Sequence, residues 1–113
     1  FVEGIKNSMH RILPLRGDAD VMEGIGVVLC GGHTTGSQMI EVQTGLGTAI
    51  ISGDTIMTYK NIEQRIPVGL RTDPEACRRV IEKTLKKRGM FLLPSHDYLT
   101  MNYLTNAESC KIK

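Results

Sequence analysis

The chain has 113 residues and a formal net charge of +2, with 41% hydrophobic and 23% charged residues. These values are those of an ordinary globular domain, and a chain of this length can form one hydrophobic core. The small net charge and the aromatic content of only 4% argue against nucleic acid as a partner.

The three cysteines are Cys30, Cys77 and Cys110, and their spacing gives no short-spaced pair of the kind used in zinc ribbons or redox motifs. This pattern favours a reducing compartment. No apolar run approaches the ~20 residues that cross a bilayer, and residues 1–14 lack the pattern of a secretion signal. We therefore expect a cytoplasmic protein with no membrane partner.

The first predicted element is a short amphipathic helix over residues 2–13, because its apolar residues recur at intervals of three and four and Pro14 ends the pattern. We expect its apolar face to be packing surface. The chain begins at Phe1 and not at a methionine, so we expect a segment upstream of it.

Strands are predicted next. Residues 21–22 and 25–29 read as short strands, residues 38–44 and 48–52 as an antiparallel hairpin, and residues 90–93 as a further apolar strand. Between residues 55 and 72 the periodicity is lost, which predicts a loop that shapes a site and contacts substrate.

The clearest element is a helix from Pro74 to about Arg88. Asp73 suits the N-cap, Pro74 suits the first helical position, and Gly89 suits the C-terminal stop. One helix of this size covers one face of a sheet. The other face would expose Val, Ile and Leu to water, so we expect an upstream segment to cover it.

Three of the apolar runs end in a turn followed by a residue that can hold a metal: His33, Asp54 and His96. Residues just beyond strand ends share one edge of a sheet if the strands run the same way. We therefore expect these two imidazoles and one carboxylate to converge. Such a set at a strand edge indicates a metal site.

The stretches Gly32-His33-Thr34-Thr35-Gly36, Ser52-Gly53-Asp54 and Pro94-Ser95-His96-Asp97 resemble the C-terminal half of the metallo-β-lactamase superfamily. Within it, residues 53–63, residues 73–76 and the final His96-Asp97 look most like the N-acyl-homoserine lactonases and related small-lactone hydrolases. The resemblance implies an α/β (α+β) fold: the C-terminal half of an αββα sandwich, with a mixed sheet and helices on its outer face. Residues 1–113 would then be the C-terminal portion of one domain whose N-terminal half is absent from this chain.

The resemblance also implies roles for the three converging residues. His33 would ligate a first Zn²⁺ ion, Asp54 would bridge two ions and be catalytic, and His96 would ligate the second. A hydroxide held by the metals would attack the carbonyl of a lactone or another small ester. The substrate would thus be a small molecule.

This sequence departs from the family pattern at three places. The family's first ligand cluster, a His-x-His-x-Asp-His run, is absent from the chain. Related lactonases often have a tyrosine three residues after the bridging aspartate; here that position is Met57, and we expect Tyr59 to replace it as a catalytic hydroxyl. Gly31 and Ser95 stand where relatives commonly have Pro and Gly, which affects loop conformation only.

Other readings stay open. The chain could be a non-catalytic half-domain that docks with a missing N-terminal half or a complementary chain, and homo-oligomers are not excluded. A redox or phosphodiester-cleaving relative with iron or manganese uses the same scaffold. Asp97 either orients a ligand or caps a turn. For Cys30 we expect a packing role, and for His10 no catalytic role.

Overall fold

The computed structural model describes residues 2–113. Helix α1 (Val2–Asn7) is followed by a single 3-10 turn (Met9–Arg11), so the continuous helix predicted over residues 2–13 is wrong. Met9 is 59% exposed and Leu13 is 70% exposed. Their apolar side chains therefore lack the packing that would hold a longer helix together. In the described residues, no helix combines the length and apolarity required to cross a membrane.

Five strands form one mixed sheet in the order β1-β2-β3-β4-β5. They are β1 (Ala19–Met22), β2 (Ile25–Leu29), β3 (Gln38–Thr44), β4 (Gly47–Ile51) and β5 (Phe91–Leu93). The first three pairings are antiparallel, and β4 pairs with β5 in parallel. The predicted strands and the predicted antiparallel hairpin are confirmed.

Strand direction places the ends of β2, β4 and β5 together. Two antiparallel steps separate β2 from β4, and β5 is parallel to β4, so all three strands run the same way. Their carboxyl ends therefore lie at one edge of the sheet. The loops that carry His33, Asp54 and His96 leave from that edge.

Helix α3 (Pro74–Leu85) starts as predicted, with the Asp73 side chain accepting a hydrogen bond from the Ala76 amide. It ends three residues earlier than predicted, at Leu85, and a turn continues to Gly89, where φ is +83°. Its buried face contributes Val80 and Ile81 to the core. The sheet residues they join are Met39, Ile50 and Leu92.

The opposite face of the sheet is only partly covered. Neighbouring residues of a strand point to opposite faces, so Ile40 and Ile51 lie on the side away from α3. On that side the segment 98–110 packs on Ala49 and Phe91. Ile40 stays 38% exposed and Ile51 40% exposed, with Leu29 at 43% beside them. We name these three the open face.

The stretch predicted as a loop, residues 55–72, is more regular than the sequence indicated. A 3-10 turn (Gly53–Thr55) is followed by a short helix α2 (Tyr59–Glu63). Thr58 and Asn61 form a reciprocal cap at its start. The motif was missed because asparagine replaces the usual Glu or Gln at the third position of this cap.

Candidate metal centre

The structure brings together the three side chains that the sequence singled out. Asp54 lies between the two imidazoles: its Oδ2 is 3.6 Å from Nε2 of His33, and its Oδ1 is 2.7 Å from Nε2 of His96. The three residues come from different loops of the sheet edge. Their predicted convergence is therefore a property of the fold.

His33 is held by a loop that is tied to two other segments. Cys30 and Gly31 donate backbone hydrogen bonds to the Ser37 carbonyl, which closes the loop. Nδ1 of His33 lies 2.6 Å from the carbonyl oxygen of Leu70. A carbonyl oxygen only accepts, so Nδ1 carries the proton, and Nε2 of a neutral ring keeps its lone pair for a cation.

Asp54 sits in the 3-10 turn that follows β4. Ser52, the residue before the turn, is completely buried and donates its hydroxyl proton to the Ile56 carbonyl at 2.7 Å. The Ser52 amide also continues the ladder to Leu93 at 3.3 Å. These bonds fix the start of the turn, while the Asp54 carboxylate itself remains 49% exposed.

His96 follows β5 and is positioned by its backbone. Its amide donates to the Met57 carbonyl at 2.9 Å. Asp97 accepts from the amides of Leu99 and Tyr59, each at 3.0 Å. Of the two roles considered for Asp97, the structure therefore shows the capping of a turn. Its hydrogen bond to the Tyr59 amide also links the His96 loop to α2.

The donor atoms suit a divalent cation. Nε2 of His33 faces Oδ2 of Asp54, and an unprotonated imidazole nitrogen and a carboxylate oxygen can both act as metal ligands. Two donors on one zinc ion lie about 3.3–3.6 Å apart when each bond is about 2.0–2.2 Å, and the 3.6 Å separation of this pair fits that range.

Asp54 and His96 are closer than ligands of a common ion. Their 2.7 Å separation is a hydrogen bond. Accordingly, within residues 2–113 no three His, Cys, Asp or Glu side chains are spaced around a single ion. Opening this one contact by less than about 1 Å would give Asp54 and His96 the spacing of two ligands of one ion.

Tyr59 is not placed as a catalytic hydroxyl. Its phenol donates to the Leu92 carbonyl at 2.7 Å, and its ring packs against both core clusters. Burial raises the pKa of the Tyr59 phenol, and the nearby Cys110 adds to the rise. The expectation that it replaces the tyrosine missing at Met57 is corrected: the hydroxyl is engaged with the core and not with Asp54.

Cys30 packs as expected. It borders the core cluster, its thiol lies 3.3 Å from the Val28 carbonyl, and burial raises the pKa of the thiol. Sequence reasoning missed the Leu70 carbonyl, which sets the proton position on His33. A backbone carbonyl has no side-chain signature, and Leu70 lies 37 residues from His33, so no motif could have pointed to it.

No protein-family model and no curated protein sequence matches the chain. Its fold is similar to solved lactone hydrolases. A quorum-quenching N-acyl homoserine lactone hydrolase is 25% identical, with a TM-score of 0.65 over 74% of this chain and 36% of its own. A second, with the product N-hexanoyl-L-homoserine at its catalytic metal centre, is 24% identical with a TM-score of 0.67, over 87% and 38%. A dizinc quorum-quenching lactonase is 16% identical with a TM-score of 0.64, over 86% and 35%.

These likenesses confirm the fold that the sequence motifs implied. The chain has the fold of one half of the metallo-β-lactamase domain. Similar solved structures also include a probable metal-dependent hydrolase, 18% identical, and a hydrolase of the β-lactamase superfamily, 20% identical. It spans between 35% and 38% of the length of the three lactone hydrolases.

Proposed function

We propose that the chain supplies three ligands, His33, Asp54 and His96, to the metal centre of a hydrolase that acts on a lactone or another small ester. The observation that carries this proposal is the position of the Asp54 carboxylate, with one oxygen directed at each imidazole. The similarity to lactone hydrolases of the same fold supports the substrate class.

We propose zinc, as a pair of ions, because imidazole nitrogen and carboxylate oxygen are ligands that zinc prefers. When bound, it supplies a Lewis acid that polarises a carbonyl and activates water. The remaining ligands would come from the N-terminal half of the protein or from a complementary chain.

The chain's own residues have separable tasks. His33, whose side chain is only 15% exposed, offers a fixed lone pair because Leu70 holds its proton on the far nitrogen. Asp54 can serve two ions through its two oxygens. The His96 side chain, 56% exposed, borders a cavity of about 420 Å³ between α2 and the start of the segment 98–110. That cavity is where we place part of the substrate.

The test uses the full-length protein. Asp54→Ala removes the shared carboxylate, so we expect loss of bound zinc by elemental analysis and loss of lactone hydrolysis. Asp20→Ala is the matched control, because Asp20 is exposed on β1, the strand at the far edge of the sheet. Wild-type zinc content and turnover in Asp54→Ala would refute the proposal.

The open face supports a second candidate function. Leu29, Ile40 and Ile51 form an exposed apolar surface of the kind that marks an interaction site. A chain that binds another polypeptide there, without bound zinc and without hydrolysis, would be a non-catalytic interaction subunit. Zinc content of the wild-type protein separates the two candidates.

A further inference from the structure

The position of the Leu70 carbonyl decides which nitrogen of His33 carries the proton and which one can bind a metal. The Leu70 side chain does not fix the position of this carbonyl. That side chain is 77% exposed. The carbonyl is therefore placed by the backbone on either side of it, within residues 68–73. The contacts of this segment are the basis of the inference.

On its C-terminal side, the segment is docked to the His33 loop. The Gly32 carbonyl accepts from the Thr72 amide at 2.8 Å, from the Thr72 hydroxyl at 3.0 Å and from the Asp73 amide at 3.0 Å. The Thr72 amide is also 3.2 Å from the His33 carbonyl. Residues 72 and 73 thus move together with the loop that carries the imidazole.

On its N-terminal side, the segment is held by hydrogen bonds from the Arg71 side chain to its own backbone. Nη1 of Arg71 donates to the Val68 carbonyl at 2.7 Å and to the Gly69 carbonyl at 3.1 Å. Val68 is 2% exposed, so this anchor belongs to the packed interior. Leu70 lies between the two fixed ends.

We propose that Arg71 is a positioning residue for the metal site: by binding the Val68 and Gly69 carbonyls, it holds the Leu70 carbonyl on Nδ1 of His33 and keeps Nε2 available as a ligand. The proposal rests on the proposed function, since it concerns how one ligand of that site is oriented. Removing a group that orients a metal ligand through hydrogen bonds typically weakens metal affinity by about 10- to 100-fold.

The geometry of the bond supplies a diagnostic variant. A single nitrogen of Arg71 makes both hydrogen bonds, and a lysine ammonium has three donors on one nitrogen. Arg71→Lys can therefore keep both bonds, while Arg71→Ala removes them. Arg78→Ala is the matched control, because Arg78 is exposed on α3, pairs with Glu75 and carries the same charge.

The experiment measures zinc affinity by chelator competition, the absorption spectrum of the cobalt-substituted protein, and the unfolding free energy of the metal-free protein, all in the full-length chain. We expect Arg71→Ala to bind zinc about tenfold more weakly with an altered cobalt spectrum. Arg71→Lys and Arg78→Ala should match the wild type, and the metal-free Arg71→Ala protein should be nearly as stable as the Arg78→Ala protein.

Different failures have different meanings. If the wild type binds zinc and Arg71→Ala binds it equally well with the same spectrum, the positioning role is overturned and the proposed function stands. If Arg71→Ala loses stability in proportion to affinity, or Arg71→Lys fails to restore binding, Arg71 has only a structural role. If the wild type binds no zinc, the proposed function itself fails.

Discussion

Gly32 brings the His33 loop into close contact with Cys77 of α3. Its φ is +89°, and a Cβ added there would lie 2.6 Å from the Cys77 sulfur and 3.0 Å from the Cys77 amide nitrogen. Both the backbone conformation and the missing side chain are therefore required. The contact between Gly32 and Cys77 therefore sets the distance between the His33 loop and α3.

The first prediction concerns this contact. Gly32→Ala should lower the free energy of unfolding by about 1–3 kcal/mol, because alanine is strained at this φ and meets Cys77. Gly36→Ala is the control within the same loop, since no atom lies within 4 Å of its added Cβ. Chemical denaturation of both variants makes the comparison. Equal stability would contradict the close packing described.

Tyr59 gives a prediction for alkaline pH. The pKa of its phenol is raised by burial from the ordinary value of 10.0. The phenol is neutral in both states below pH 10, but above it the unfolded state loses the proton first. Stability should therefore fall as pH rises above about 10, and this part of the fall should be absent in Tyr59→Phe. At neutral pH the variant should lose only ~1 kcal/mol, for the bond to Leu92.

Denaturation of wild type and Tyr59→Phe across this pH range checks the prediction. The partly buried thiol of Cys30 and the buried thiol of Cys77, whose pKa values are also raised, are shared by both proteins, so their effects cancel in the comparison. Parallel pH profiles for the two proteins would show that the Tyr59 phenol is not buried as described.

At the scale of elements, the strands were predictable because alternation and turn residues are local signals. Only the β3–β4 connection has hairpin length, so the shared direction of β2, β4 and β5 was a condition of the sequence argument that the structure supplies. This direction is what brings His33, Asp54 and His96 to one edge. The direction of the Tyr59 ring was not predictable. It depends on the packing of α2 against β5, which no local pattern encodes.

Helix α3 supplies a prediction at this scale. Asp73→Ala removes the side chain that caps the Ala76 amide and should lower the free energy of unfolding by about 0.5–2 kcal/mol. Asp73→Asn keeps an acceptor oxygen and should lose much less. Thermal unfolding of the two variants distinguishes them. An equal loss of stability in both variants would mean that the negative charge of Asp73, through its ion pair with Arg79, is what stabilises the helix, and not the cap.

At the scale of the whole molecule, the sequence predicted that one helix would leave part of the sheet uncovered. The open face confirms this for the described residues, although the segment 98–110, for which the sequence predicted no element, covers part of that side. The 3-10 turns of this segment carry no clear periodicity, so their packing on Ala49 and Phe91 could not be predicted.

The open face leads to a prediction for the full-length protein. If a second layer covers it, Ile40→Asp buries an unpaired charge and should lower the free energy of unfolding by at least about 2 kcal/mol. Leu46→Asp is the control, because Leu46 is 65% exposed at the hairpin tip, and it should change stability by less than about 0.5 kcal/mol. Similar, small effects of both substitutions would mean that the face stays in water.

The most direct test of the proposed metal site is the anomalous scattering of zinc in crystals of the full-length protein. We expect a peak within about 2.0–2.2 Å of Nε2 of His33 and of an Asp54 oxygen, and a second peak at the same distance from Nε2 of His96, with the Asp54–His96 hydrogen bond broken. Zinc peaks remote from these atoms, with that hydrogen bond intact, would contradict the account.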